Sequence, residues 1–339
     1  MSAGSRILLA HGAGGRLTNE LVARVFVPAL DNPRLRELSD AALLDELPPG
    51  RPAFTTDGFV VDPPLFPGGD LGYLSVCGTV NDLAVSGARP LWLSWALILE
   101  EGCETGLLEA VVAGAARAAR EAGVELVTGD TKVVPRGKGD RVYAVTSGIG
   151  VVPPGRVLHD RQVRAGDCLV ASGTLGDHGA TILATRHGVA GPELRSDCRP
   201  LNHLLEAAHA SGARIRCMHD PTRGGLATLC NEVAARAGLR FVLDERNLPV
   251  REEALAVCEL LGLDPLYLAS EGRAILWVAP EDAERLVATL RTHELGRGAA
   301  ILGRAEPARP GHAPVVLRTR GGSERPLDLL SGIDLPRIC

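Results

Sequence analysis

The chain has 339 residues, 45% of them hydrophobic and 23% charged, with a formal net charge of -5. An acidic balance without a basic stripe excludes nucleic acid as an expected partner. No uncharged apolar run approaches the roughly 18 residues of a membrane span, so no membrane contact is expected either. The apolar run at residues 7–10 is too short for a signal-peptide core, which predicts a cytoplasmic protein. The length exceeds one ordinary core and predicts two domains.

Aromatic residues are scarce and glycines number 40, so core volume must come from Leu, Val, Ile and Ala. The glycine loop His11-Gly12-Ala13-Gly14-Gly15-Arg16 comes first, followed by a helix-like segment from Leu17. Residues 54–61 read as a strand. Residues 70–88 read as a helix crowded with small residues, including Gly72, Ser75, Gly78 and Ala84, which let another backbone or a ligand come close. Residues 91–99 form an apolar strand. Residues 105–122 form a helix whose face is Leu108, Val111, Val112, Ala115 and Ala119, with Gly123 as its stop. Strands follow at 124–127, running into Gly129-Asp130, and at 142–151.

The Val152-Pro153-Pro154-Gly155 run marks a domain boundary. Beyond it, 168–171 reads as a strand and helices are expected near Thr181 and Leu201. A strand at 214–218 enters the loop His219-Asp220-Pro221-Thr222-Arg223-Gly224-Gly225, and a helix runs from there to about Ala237. Strands near Phe241, Ile275 and Ile301 alternate with helices near Glu253 and Glu281. This is an α/β or α+β pattern whose strand order is not readable. From Arg318 onward Gly321, Gly322, Pro326, Gly332 and Pro336 break any helix, which predicts a flexible tail. Fully extended from Gly322 to Cys339, it would reach roughly 55 Å at about 3.3 Å per residue.

Four features carry possible chemistry. A glycine loop that opens a helix offers backbone N–H groups to phosphates, although no Lys-Ser/Thr pair follows as in a Walker A loop. Asp57, Asp70, Asp82, Asp130 and Asp220 sit at strand bends, strand ends or on the small-residue helix. Carboxylates so placed suit Mg²⁺, which takes oxygen ligands and bridges ATP phosphates; a lone Asp is otherwise a cap or turn residue. Asp82, in Thr79-Val80-Asn81-Asp82-Leu83-Ala84, should be half-buried and needs a partner. Lys132 lies just past an expected strand end and could hold phosphate charge, while Glu271 could act as a general base. Spacing alone leaves both readable as ordinary surface residues. Finally, the eight cysteines include no CxxC pair, so a zinc or iron–sulfur framework is not expected. Cys77, Cys217 and Cys230 read as core, whereas the terminal Cys339 could carry a group or act as a nucleophile.

Several motifs together resemble the HypE family of hydrogenase maturation proteins, within the superfamily of aminoimidazole ribonucleotide synthetase and selenophosphate synthetase. They are the loop at 11–16, Phe54-Thr55-Thr56-Asp57-Gly58-Phe59-Val60-Val61, Gly78-Thr79-Val80-Asn81-Asp82-Leu83-Ala84, Thr128-Gly129-Asp130-Thr131-Lys132-Val133-Val134 and His219 to Gly225. The ending Pro336-Arg337-Ile338-Cys339 is the most diagnostic.

The resemblance implies a two-domain PurM-like α/β architecture. An ATP- and Mg²⁺-binding domain at 1–153 would dimerise through a β-barrel, a second α/β domain would span 154–318, and a flexible tail would span 319–339. It implies metal ligands at Asp57, Asp82 and Asp220, with Asp130 close by. Gly14, Gly15 and Thr131 would approach phosphates, Thr56 would belong to the nucleotide site, and Asp70 would hold the base or ribose. Cys339 would accept a carbamoyl group from the carbamoyltransferase HypF. ATP-dependent dehydration, aided by Lys132 and Glu271, would give a thiocyanate, and its cyanide would pass to iron on a HypC–HypD complex for a nickel–iron hydrogenase. Rival readings are a small-molecule phosphotransferase of the same superfamily, of selenophosphate synthetase or thiamine-phosphate kinase type, and a non-catalytic nucleotide-binding scaffold.

Overall fold

The computed structural model describes residues 6–330 and 337–339. They divide into two compact units. The first runs to Pro154, apart from residues 84–87, and includes Cys339; the second takes residues 84–87 and Gly155 to Ile338.

The first unit holds a four-stranded sheet of β1 (Arg51–Phe59), β2 (Arg89–Glu100), β3 (Glu125–Val134) and β4 (Val142–Val152), in the order β1-β4-β2-β3. Only β2 and β3 run parallel. A parallel pair needs a crossover, and the helix α3 (Thr105–Ala122) supplies it. Its bounds are those expected, its apolar stripe is buried, and Gly123 closes it at φ 70°. Two more helices are α1 (Arg16–Leu21) and α2 (Leu71–Val85). The small residues of α2 serve close backbone approach: a Cβ on Gly72 would lie 1.8 Å from the Val111 carbonyl oxygen of α3. On Gly78 it would lie 2.7 Å from the Phe59 ring of β1.

One strand end differs from expectation. β3 does not stop near Val127 but continues through Asp130 and Lys132 to Val134. β2 is twelve residues long and offers ladder partners for this whole length, pairing Trp95 with Gly129 and Ile98 with Lys132. Gly129 is needed there, since its Cβ would meet the Trp95 carbonyl oxygen at 2.3 Å. As an edge strand, β3 can turn polar side chains to water without ending.

The second unit is built on a seven-stranded sheet of β5 (Cys168–Ala171), β6 (Ile215–His219), β7 (Leu239–Asp244), β8 (Ile275–Val278), β9 (Ala300–Pro307), β10 (Val315–Arg318) and β11 (Glu324–Pro326). The order is β11-β10-β7-β9-β5-β8-β6, antiparallel except for β10 with β7. Alternate residues feed two cores. Leu169, Ala171, Ile275 and Trp277 pack with α6 (Gly225–Ala237). Cys168, Val170, Leu276 and Val278 pack with α5 (Asn202–Ala210) and α8 (Ala283–Thr292). With both faces covered, β5 and β8 read as unbroken apolar runs. The remaining helices of eight residues or more in this unit, among the described residues, are α4 (Asp177–His187) and α7 (Glu252–Leu261).

The tail expected from residue 319 does not start there. β10 and β11 form a hairpin, closed by Thr319 N–H to the Ser323 carbonyl at 2.8 Å, with Gly322 at φ 89°. Glycines that read as disorder are therefore its turn. Leu327 is buried, and the Asn231 side-chain amide donates to its carbonyl at 2.6 Å. Residues 331–336, the middle of the expected tail, lie outside the described residues.

Candidate functional site

In the first unit the chemistry-bearing residues gather on β1, α2 and β3. Along β1, Ala53, Thr55, Asp57 and Phe59 face inward and alternate with exposed Phe54, Thr56 and Gly58. The Thr55 hydroxyl donates to Asp82 Oδ2 at 2.9 Å, and Phe59 packs on Gly78, one helical turn before Asp82. Asp57 lies between Thr55 and Phe59 on this face, so Asp57 and Asp82 share one sheet–helix layer. Asp82 is half-buried and partnered, as expected. Asp57 accepts the Gly58 N–H at 2.8 Å. Thr56 is turned to the other face, where its hydroxyl donates to the Thr146 carbonyl at 2.8 Å and accepts from Ser147.

Asp70 has a different setting. It is buried and accepts the Tyr73 N–H at 2.9 Å, in the first turn of α2, and its other oxygen meets Arg117 at 3.2 Å. A Cβ on Gly114 would lie 1.9 Å from it. Burial raises its carboxyl pKa above the ordinary value, against the lowering effect of the Tyr73 N–H and Arg117. This is a helix cap packed on α3.

On β3, Asp130 and Lys132 project from one side, two residues apart, and pair at 2.7 Å. The Lys132 hydrogen bond lowers the Asp130 carboxyl pKa, helped by the Thr131 N–H at 2.8 Å. Thr128, Asp130 and Thr131 border a cavity of about 220 Å³ whose walls include Thr18, Phe26 and Trp95. The glycine loop leans on the same strand: a Cβ on Gly12 would lie 2.6 Å from the Val133 nitrogen. Gly14, at φ 79°, and Gly15 have open space around them, as close approach by a ligand requires.

In the second unit Asp220 follows the end of β6, and Glu271 precedes β8. These strands are antiparallel neighbours with His219 opposite Ile275, so the two loops meet. The Ser270 N–H donates to the Pro221 carbonyl at 3.0 Å. Glu271 is 2% exposed, and its N–H donates to Asp197 Oδ1 at 3.0 Å. His219, at the end of β6, is held by Asp160 at 2.7 Å. Burial would raise the Asp160 carboxyl, but His219 and Arg236 outweigh it and bring it down to about 2.

Sequence reasoning missed the buried carboxyls Asp177 and Asp197, whose positions carry no motif. Burial, then the nearby Asp197 charge, pushes Asp177 up to about 6. A carboxyl raised on folding stabilises fully below its unfolded value near 3.8, and that contribution is lost as pH rises through about 6. Asp177→Asn should therefore gain stability over the parent by about 1–2 kcal/mol between pH 5 and pH 7.5, read by denaturant unfolding at both. A difference independent of pH would mean that Asp177 is ionised throughout.

Cys339 is the one cysteine among the described residues that is not buried. Burial pushes the thiols of Cys103 and Cys258 up to about 11, and raises those of Cys217 and Cys230 as well. The Cys339 main-chain oxygen accepts the Val60 N–H at 3.2 Å, just beyond β1.

Two family models match the chain: AIR synthase related protein, N-terminal domain, over residues 38–152, and the C-terminal domain over residues 164–313. Carbamoyl dehydratase HypE of Rhodobacter capsulatus is 50% identical over 338 residues, covering 98% of this chain and 98% of that protein. A crystal structure of hydrogenase maturation protein HypE in complex with ATP superposes with a TM-score of 0.93 at 45% identity, covering 98% and 99% of the two chains. That of a HypE–HypF complex superposes with a TM-score of 0.79 at 40% identity, covering 93% and 100%.

Proposed function

This chain belongs to the carbamoyl dehydratase HypE family, and we propose that Cys339 is the thiol on which it works. Its activity is ATP-dependent carbamoyl dehydration in hydrogenase maturation. On a cysteine sulfur the change is S–C(=O)–NH₂ to S–C≡N, with one water's atoms removed and ATP converted to ADP and phosphate. A carbamoyl oxygen is a poor leaving group. Once it carries the γ-phosphoryl group of ATP it departs as phosphate, and the two N–H protons pass to bases.

The observation that carries the thiol assignment is the contrast between half-exposed Cys339 and seven buried cysteines. Asp57 and Asp82 are proposed to hold Mg²⁺; their shared layer and hard oxygen donors suit that ion. Bound there, it would neutralise phosphate charge. Asp220 is proposed as a third acidic residue of the ATP machinery. Gly14, Gly15, Asp130 and Thr131 are assigned to the nucleotide phosphates, supported by the open glycine loop and the β3 cavity. Lys132 is assigned to the charge that develops on the transferring phosphoryl group. Glu271 is assigned to proton removal; it is buried in a loop that meets the one carrying Asp220.

A homodimer is proposed through the outer face of the first sheet, where Phe54 is 70% and Val145 39% exposed. HypF is proposed as carbamoyl donor, supported by the HypE–HypF complex, and a HypC–HypD complex as cyanide acceptor. A cytoplasmic setting suits seven buried free cysteines; among the described residues no helix is long and apolar enough to cross a membrane.

The test is the mass of the C-terminal peptide after co-expression with an active carbamoyltransferase. We expect a carbamoyl adduct on Cys339 that loses one water on addition of MgATP. An unmodified Cys339 beside an active transferase would overturn the carrier assignment.

A further inference from the structure

In the second unit His178 on α4 touches the chain end, Asp197 ahead of α5 touches the Glu271 loop, and Ser196 joins the two. The His178 ring is fully buried. Its Nδ1 lies 2.8 Å from Ser196 Oγ, and its Nε2 lies 2.7 Å from the carbonyl oxygen of Ile338. A carbonyl only accepts, so Nε2 carries the proton. Burial pushes the imidazole down to about 4, so the ring is neutral and Nδ1 accepts from the Ser196 hydroxyl. Ser196 Oγ in turn accepts the Cys198 N–H at 3.0 Å, which leaves its own proton for His178. From the far end of the same helix, the Arg186 guanidinium donates to the carbonyl of Arg337. One residue beyond Ser196, Asp197 accepts the Glu271 N–H, and a Cβ on Gly272 would lie 1.8 Å from the Asp197 carbonyl oxygen.

We propose that His178, oriented by Ser196, is a positioning residue for the dehydration: with Arg186 it fixes the main chain just before the carrier thiol in register with the Glu271 loop. This rests on the reading of Cys339 as the carrier. Its logic lies in what is recognised. The group on the sulfur would change from thiol to carbamoyl to thiocyanate during one cycle, while the main-chain carbonyls stay the same. Donors aimed at carbonyls dock every form alike. The His178 bond is between neutral groups and is weaker than the charge-assisted Arg186 bond beside it, so its part is to set the register of the chain end more than to add affinity.

The test compares His178→Ala and His178→Gln in the full chain with the parent. The rate of Cys339 alkylation by a maleimide reports docking. The single-turnover loss of water from carbamoylated protein reports chemistry, and ATP affinity reports the nucleotide site. In His178→Ala, alkylation should rise about fivefold and dehydration should slow at least about tenfold, with ATP affinity unchanged. In His178→Gln, whose amide N–H reaches toward the Nε2 position, both should return to within about threefold of the parent. Ser196→Ala, a smaller change to the same relay, should likewise raise alkylation and slow dehydration, and it covers failure of His178→Ala to fold. Parent-like rates in the Ala variants would overturn the proposal, as would a folded His178→Gln no better than His178→Ala. If Cys339 of the parent never accepts a carbamoyl group from an active transferase, the carrier reading fails, while alkylation still judges the docking.

Discussion

Cys339→Ala should abolish formation of the cyanide ligand and leave ATP affinity within about twofold of the parent. In the proposed reaction the sulfur is the atom to which the carbamoyl group bonds, and loss of an essential nucleophile typically costs about 10⁴-fold or more. No other thiol can stand in, because the remaining seven are buried. Cys339→Ser should fail as well, since a hydroxyl ionises far less readily than a thiol. Hydrogenase maturation and the carbamoyl adduct would be followed by activity and peptide mass, and ATP affinity by calorimetry. A Cys339→Ala variant that still supports maturation would move this chain among the small-molecule phosphotransferases of its superfamily.

Asp82→Asn should lower MgATP-dependent turnover by at least about 10²-fold while leaving the fold within about 1.5 kcal/mol of the parent. The two effects separate because of what Asp82 touches. Its Oδ2 accepts the Thr55 hydroxyl, and an Asn carbonyl oxygen can accept the same bond. The negative charge that a divalent cation needs is lost. The variant should need a higher Mg²⁺ concentration for half-maximal turnover, and Asp57→Asn should behave alike. Unaltered metal dependence in a folded Asp82→Asn would remove it from the proposed ligand set.

Much of the fold was legible because local rules were obeyed. The helix Thr105–Ala122 came out residue for residue, since a stripe repeating every three to four residues ran into a left-handed glycine. The strand Cys168–Ala171 was equally clear, as four apolar residues between polar turns. The errors came where one feature had two meanings. Gly129-Asp130 reads as a strand end, but a long neighbouring strand kept the ladder going and made Gly129 a point of close contact. Gly321-Gly322 reads as the start of a loose tail, yet it turns a hairpin.

The family, the two-part division near Val152–Gly155 and the residue types available for ATP chemistry were all readable along the chain, because motifs are contiguous and turn residues act locally. Which of those residues meet depended on packing. It put Asp57 and Asp82 in one layer, turned Thr56 to the opposite face and committed Asp70 to capping a helix. It also set His178 against Ile338, 160 positions along the chain. The reason is physical: strand alternation and sheet order determine which side chains share a face, and pairing between distant segments depends on a packed core that no local pattern encodes.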